Sequence, residues 1–277
     1  CHMNAISVET LLKVATEAAS KGANLLVKKH HAVFGEHATD SLDIKTKSSD
    51  TDFVTEADGM AQEAVISVIQ SHFPDHRFIA EEEGADDLGS PDSPYEWIID
   101  PLDGTTNFIH GKENFGTIIA VQKDGVLQAG VMDMPLLKQL HQSARGHGAT
   151  INGRPVVLRQ TKNLCDAVLA SNVMRRAKEG EDGAWYVSMP LCASLENYGC
   201  AAQELGEILL GQNDGSFFNG IRLWDVAAGC LMLEEAGGKY RYEHQEKGNK
   251  RSGLLCVAST APIFDELCEF VFDKNLT

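Results

Sequence analysis

The chain is short of positive charge. Lysine and arginine together number 24 against 40 aspartates and glutamates, a formal net charge of −16 over 277 residues, and no basic run offsets the acids. Non-specific binding to nucleic acid or to an anionic membrane surface needs clustered cations and is excluded on that ground. An anionic substrate would have to meet metal charge supplied locally. Long apolar runs are missing as well: nothing approaches the roughly 20 residues a spanning helix needs, and no signal-peptide core stands near the N-terminus. A cytoplasmic location is the expectation. The seven cysteines show no C-x-x-C spacing, which excludes a zinc cluster and a disulfide framework and leads to free thiols in a reducing compartment. Gly146-His147-Gly148 lacks the third glycine of a dinucleotide fingerprint and precedes no amphipathic helix, so a nucleotide cofactor is rejected.

This length buries a sizeable core and fits one compact catalytic unit with two lobes, residues 3–151 and 152–277. Cys1-His2-Met3 reads as an added leader before a natural start at Met3 and is left out of the functional reasoning.

What the chain does have is acids gathered at the ends of short apolar segments. The stretch from Trp97 to Phe108 runs Trp97-Ile98-Ile99, bounded by Pro94 and Pro101, into Asp100, Asp103 and a hydroxyl-rich turn at Thr105-Thr106. The strand is expected to stop where the carboxylates begin. That puts Asp100 and Asp103 on one loop, with Gly104 letting backbone N–H groups approach an anion. Such a set suits a metal-bridged phosphate, although Asp-Pro and Asp-Gly are also ordinary turn residues.

Upstream, Val8 to Leu26 carries an apolar helical stripe with Ser7 as N-cap, and Gly35 to Ser49 is polar and turn-rich. Thr55 starts a second helix with Asp58 three residues on, as in a capping box, so Asp58 has a structural explanation that needs no function. His72-Phe73-Pro74 ends that helix, and Arg77 to Ala80 is a short strand delivering Glu81, Glu82 and Glu83. Three adjacent acids form either a solvated loop or, after a core strand, a place where a cation relieves their repulsion. Thr117–Gln122 and Val126–Asp133 make a hairpin through Lys123-Asp124-Gly125, and a second turn falls at Asn152-Gly153. Further on, the pattern gives a strand in Asn163–Ser171, a charged loop from Arg175 to Gly183, and helices over Ala201–Leu210 and Trp224–Gly237. A strand over Leu254–Ala258 and a final helix close the chain. Asp225 lies in a first helical turn, where the helix dipole favours an acid without any function.

Asp100 to Phe108 and Trp224 to Gly229 match the signatures D-P-I/L-D-G-T-T-N-F and W-D-x-A-A/G-G. With the Glu81-Glu82 pair and the D-x-V-T-x-x-D segment from Asp52 to Asp58, the chain resembles the magnesium-dependent inositol monophosphatase family over nearly its whole length. The resemblance implies an α/β fold, the layered αβαβα sandwich of the sugar phosphatases, and a homodimer. It implies a phosphomonoesterase, in the first place an inositol-1-monophosphatase, inhibited by lithium and working by direct in-line attack of water with two or three Mg²⁺ ions. It assigns Glu81, Asp100, the Leu102 carbonyl, Asp103 and Asp225 as metal ligands. Thr105 and Asp58, helped by Glu81, would position the water; Glu82 is a weaker candidate and Glu83 is surface. Asp103, Gly104, Thr105, Gly199, Ala201, Asn219 and Asp225 would contact substrate or phosphate. These are hard oxygen donors without His or Cys, which selects Mg²⁺ over zinc. A lysine at the place of Lys47 lies near the metal site in the family; a solvated loop lysine is an equal reading.

Two departures stand out. Family members lend backbone N–H groups from a G-S/T-A-A helix start, whereas Gly199-Cys200-Ala201-Ala202 has cysteine in the hydroxyl's place, read as a small filler and not a nucleophile. Bacterial members often read F-F-E-x-G-L-x-x-W-D, whereas here Phe217 to Asp225 is one residue shorter and Asn219 takes the approximate place of a glutamate that contacts inositol hydroxyls. Specificity is therefore open between inositol monophosphate and another small phosphate: fructose 1,6-bisphosphate, histidinol phosphate, a nucleotide 3′,5′-bisphosphate or NADP. A regulatory binding protein that keeps the fold is the alternative from another class.

Overall fold

This computed structural model describes residues 6–36, 38–46, 53–173, 178–179, 185–186 and 190–273; Lys47, and all but two residues of the loop from Arg175 to Gly183, lie outside them. Ser7 opens α1 (Val8–Phe34), its Oγ accepting from the Thr10 N–H at 3.2 Å. Two short strands, β1 (Ile44–Thr46) and β2 (Phe53–Thr55), pair antiparallel, and Thr55 then caps α2 (Glu56–His72) in the capping box with Asp58.

A seven-stranded sheet follows, in spatial order β3 (Arg77–Ala80), β4 (Tyr95–Asp103), β5 (Gly116–Lys123), β6 (Val126–Met134), β7 (Gln139–Ala144), β8 (Ala149–Ile151) and β9 (Arg154–Pro155), with a short helix α3 (Thr105–Ile109) after β4. Strands β3 and β4 run parallel and the other pairs antiparallel. The two expected hairpin turns have positive φ at both central residues, 50° and 81° at Asp124-Gly125 and 51° and 75° at Asn152-Gly153, as the favoured two-residue turn requires. The Gly146-His147-Gly148 turn joins β7 to β8, and its two glycine N–H groups donate to Glu235 at 2.9 and 3.0 Å.

The second half gives β10 (Val168–Ser171), a small pair β11 (Lys178–Glu179) and β12 (Trp185–Tyr186), β13 (Ser194–Glu196), α4 (Ala201–Leu209), β14 (Gly215–Ile221), α5 (Leu223–Glu235), β15 (Lys239–His244), β16 (Leu254–Ser259) and α6 (Phe264–Cys268). Five of these strands form a second sheet in the order β13-β10-β14-β16-β15.

The period-2 alternation of strand side chains sets the layers. Trp97 and Ile99 of β4 pack with Leu11, Ala15, Val65 and Ile69 of α1 and α2, while Ile98 faces the core shared with Leu205 of α4 and Leu231 of α5. Phe218 of β14 packs into that same middle core, and Phe217 packs with Ile263 and Leu267 on the far side. The result is an α/β sandwich layered αβαβα. Each of these fully buried large side chains contributes about 1.5–3 kcal/mol. Gly130 lets α5 lie close on β6, because a Cβ there would stand 3.0 Å from the Ala228 Cα; that approach brings the start of α5 to the first sheet. Among the described residues no helix is long and apolar enough to cross a membrane.

The central strand does not stop at the carboxylates. It continues to Asp103, with the pairing to β5 irregular between Asp100 and Asp103. Pro101 sits inside that irregularity, where no ladder N–H is demanded of it, and the Leu102 N–H turns aside to Asp100 Oδ1 at 3.0 Å. The expected strand over Asn163–Ser171 begins as a short 3₁₀ turn at Leu164–Asp166 and becomes extended only from Val168.

Candidate active site

Asp58 performs its capping role with one carboxylate oxygen. Its Oδ2 accepts from the Thr55 N–H and the Thr55 hydroxyl, both at 2.8 Å. The other oxygen, Oδ1, stands 3.4 Å from the Thr105 hydroxyl. That hydroxyl has one proton, and its shorter contact is to the Leu102 carbonyl at 3.0 Å, so in this arrangement the Leu102 bond is the stronger. Burial pushes the Asp58 carboxyl up to about 7, against the Thr55 hydrogen bonds that favour its charged form and with Glu82 and Glu81 adding repulsion.

Glu81, Asp100, Leu102, Asp103, Gly104, Thr105 and Asp225 line one open pocket, together with Gly199 and Ala201. Four elements deliver the first seven. The end of β3 brings Glu81, whose N–H donates to the Ile99 carbonyl at 3.0 Å and so fixes it beside β4. The irregular end of β4 brings Asp100 and Asp103, the turn into α3 brings Gly104 and Thr105, and α5 brings Asp225 in its first turn. Gly104 has φ +82°, and a Cβ there would meet the Asn114 carbonyl oxygen at 2.9 Å, so the tight turn requires glycine.

The electrostatics are one-sided. Burial holds Asp100 well above the usual carboxylate range, and Glu81, Asp103 and Asp225 raise it further. Asp225 is likewise raised by burial, then by Asp103 and Glu81. Asp100 thus stands close to Glu81 and to Asp225, and like charges crowded in this way disfavour the ionised form of each. Glu204 is a fifth acid on the pocket wall, and no Lys, Arg or His lines it among the described residues. Buried negative charge without a counter-charge is costly. No three of these side chains already converge as a ligand group among the described residues, but five carboxyl groups on one pocket wall with no lining His, Lys or Arg among the described residues are hard oxygen donors that fit a divalent cation such as magnesium.

The start of α4 is not free for a ligand. Asp103 accepts from the Ala201 N–H at 3.1 Å, the Ala202 N–H at 2.6 Å and the Cys200 thiol at 3.0 Å. The Gly199 N–H donates to Glu204 Oε1 at 3.3 Å. Gly199 and Ala201 therefore line the pocket with their N–H groups already directed at carboxylates, not at an open anion site as expected from the helix start. Cys200 is a filler, as read from the sequence, and also a donor. Burial and then Asp103 push its thiol well above the usual value, which keeps it protonated.

The sequence profile of the inositol monophosphatase family matches residues 7–269. The chain belongs to the inositol monophosphatase family. Among its relatives, a protein of Pasteurella multocida named Nus factor SuhB is 36% identical over 231 residues, covering 82% of this chain and 83% of that one. An inositol-1-monophosphatase of Mesorhizobium japonicum is 34% identical over 232 residues, 82% of this chain and 84% of its own. The solved structure of inositol monophosphatase from Anabaena superposes with a TM-score of 0.75 at 31% identity, covering 96% of both chains.

Within this family the least expected feature is the surroundings of Asn219. It does not line the pocket. It is 7% exposed, its Oδ1 accepts from Gln245 Nε2 at 2.7 Å, and its backbone is bracketed by the Asn172 side chain at 3.0 and 3.3 Å. Asn172 is the residue that reaches the pocket, with Asn197, Thr106 and Ile221. Thr106 belongs to the hydroxyl-rich turn already read from the sequence, whereas Asn172, Asn197 and Ile221 were not proposed as site residues, because long-range packing sets the place of their segments beside β4.

Proposed function

We propose that this protein is a magnesium-dependent phosphomonoesterase, with inositol 1-monophosphate as the leading substrate and another small phosphate as the alternative. The observation that carries the reading is the gathering of Glu81, Asp100, Asp103 and Asp225 on one pocket without a lining cation among the described residues. Membership of the family and the motif positions of these four acids support it. Glu81, Asp100, the Leu102 carbonyl, Asp103 and Asp225 would hold the metal. When bound, magnesium supplies charge stabilisation for the phosphoryl group and lowers the pKa of water. The chain's own residues do the rest. Thr105 orients the attacking water once its proton turns from the Leu102 carbonyl, 3.0 Å away, to Asp58, 3.4 Å away, a turn that also frees that carbonyl for the metal. Glu81 takes up the proton released as water adds to phosphorus, and the ester oxygen leaves from the opposite side as the P–O bond breaks, taking a proton from solvent to become the alcohol. Asn197 on the pocket lining offers a neutral amide to the alcohol part of the substrate, and Asn172, whose amide holds the Asn219 backbone, has its second N–H left for the same part. The family likeness further supports a homodimer.

The test is phosphate release from inositol 1-phosphate, fructose 1,6-bisphosphate, histidinol phosphate, adenosine 3′,5′-bisphosphate and NADP, with and without Mg²⁺, beside an Asp100→Asn control. One substrate is expected to lead by about a hundredfold in kcat/KM, with the control inactive. No turnover with Mg²⁺ present would overturn the reading. A second reading, a regulatory binding protein, is supported by the relative named as a Nus factor at 36% identity. It would be favoured if Asp100→Asn abolished hydrolysis and left the protein's cellular role intact.

A further inference from the structure

The loop between β15 and β16 reaches across from the second sheet to the strand ends of the first. Arg251 forms a fork on Asp86, Nε to Oδ2 at 2.8 Å and Nη2 to Oδ1 at 2.9 Å, and the same Nη2 donates to the Ala80 carbonyl at 2.8 Å. Ala80 is the residue before Glu81. On its other side the Arg251 carbonyl accepts from Arg222 Nη1 at 2.6 Å, and the Arg222 N–H donates to Asp225 Oδ2 at 2.9 Å. The Arg251 guanidinium also lies over the Trp224 ring, 5.4 Å from its centroid. Beside it, Lys250 Nζ holds the buried Glu96 of β4 at 2.9 and 3.0 Å.

We propose that Arg251 is a positioning residue that holds Glu81, at the end of β3, at a fixed separation from Asp225, at the start of α5. The proposal rests on the reading of these acids as metal ligands. Glu81 follows a strand of the first sheet and Asp225 lies in the first turn of α5, and the two repel each other; one hydrogen bond ties Arg251 to the residue before Glu81, and two lead from it through Arg222 to Asp225. A partly exposed ion pair adds little to stability, and Arg251 is 35% exposed with Asp86 52% exposed. The guanidinium itself reaches the end of β3 through the Ala80 carbonyl and the start of α5 through the Trp224 ring, while the link to Arg222 runs through the Arg251 main-chain carbonyl; a side chain that spans two ligand-bearing segments changes how well a cation is held, because supporting groups set ligand geometry. The planar fork matters, since the guanidinium reaches Asp86 and the Ala80 carbonyl together and an ammonium presents no such fork.

The experiment is calorimetric titration of the full chain with Mg²⁺ alone, for wild type, Arg251→Gln, Arg251→Lys and Asp86→Asn, beside thermal unfolding of each without metal. Arg251→Gln is expected to weaken Mg²⁺ binding about tenfold or more, with Arg251→Lys recovering only part of it, while the metal-free Tm moves by a few degrees at most. In phosphate release the Mg²⁺ concentration for half-maximal rate should rise in step, with substrate KM at saturating Mg²⁺ within about twofold of wild type. A purely structural clasp would lower Tm and leave the Mg²⁺ affinity of folded protein unchanged, and that result overturns the proposal. If Arg251→Gln does not fold, Asp86→Asn decides: binding weakened by about two- to fivefold supports the role, and wild-type affinity overturns it. A wild-type protein that takes up no Mg²⁺ overturns the metal reading and this role with it, whereas wild-type uptake matched by every variant overturns this role alone.

Discussion

The Ala202 N–H donates to the Asp103 carboxylate at 2.6 Å, joining the start of α4 to an acid of β4 that lies 99 positions earlier in the chain. Two further donors, the Ala201 N–H and the Cys200 thiol, complete the attachment. One carboxylate thus closes the pocket wall and satisfies the exposed end of a helix. Asp103→Asn should damage both roles. Its single carbonyl oxygen cannot serve donors on both sides, and its NH₂ would face an N–H. Unfolding in urea is expected to show a loss of about 1–3 kcal/mol, and phosphate release a fall of about a hundredfold. A variant as stable as wild type would show that the helix start finds other partners.

Cys200 offers a cleaner separation of the two roles. Serine keeps a donor toward Asp103 and nearly the size of cysteine and is a better helix N-cap, while alanine removes the donor together with the sulfur's volume. Cys200→Ser should retain activity within about threefold, and Cys200→Ala should lose about 1 kcal/mol of stability. Parallel melting curves and initial rates check both. Equal behaviour of the two variants would mean that the thiol's hydrogen bond contributes nothing.

How much of this arrangement was legible in the sequence follows the range of the forces involved. The Ser7 cap, the Thr55–Asp58 capping box and the Asp124-Gly125 turn depend on residues within three positions of each other, and each forms where the pattern places it. The local stop signal at Pro101 was overridden, because pairing with β5 carries β4 through to Asp103 by means of an irregularity. The carboxylates of the pocket stand at the motif positions, but the partners of the α4 N–H groups were out of reach of sequence reasoning. Asp103 takes those of Ala201 and Ala202, and only the packing of α4 on the first sheet decides that. Asn219 shows the same limit: its place in the motif aims it at substrate, and only the folded chain shows its bonds to Gln245 and Asn172.

His76 predicts an acid sensitivity. Burial pushes its pKa down from 6.5 to about 4, and its Nδ1 accepts from the Trp97 indole N–H at 2.9 Å, a bond only the unprotonated nitrogen can make. Between those two pH values the unfolded chain binds a proton that the folded chain refuses, so stability rises with pH and is lost as pH falls from about 6.5 toward 4. His76→Gln keeps an acceptor for Trp97 but does not titrate. The urea midpoint of this variant should fall less steeply than that of wild type over that range. Parallel curves would show that other groups dominate.

Asp225 sets stability against binding. In the metal-free protein its charge sits close to Asp103 and Glu81 in a partly buried place, and burial and both neighbours disfavour its ionised form. Against this, it accepts from the Arg222 N–H at 2.9 Å and gains about 0.3–1 kcal/mol from the dipole of α5. The net upward shift shows that repulsion and desolvation outweigh the cap. Asn at this position keeps an acceptor for Arg222 and removes the repulsion, so metal-free Asp225→Asn should melt above wild type by roughly 2–4 °C for each kcal/mol relieved. Mg²⁺ at about a hundred times its Kd should stabilise wild type by about 2.7 kcal/mol and the variant far less, so the order of the two melting points reverses on adding the ion. That reversal would identify the instability of the empty pocket as the source of its affinity. A metal-free variant that melts below wild type would instead place the greater weight on the helix cap and would argue that Asp225 is ionised without a cation beside it.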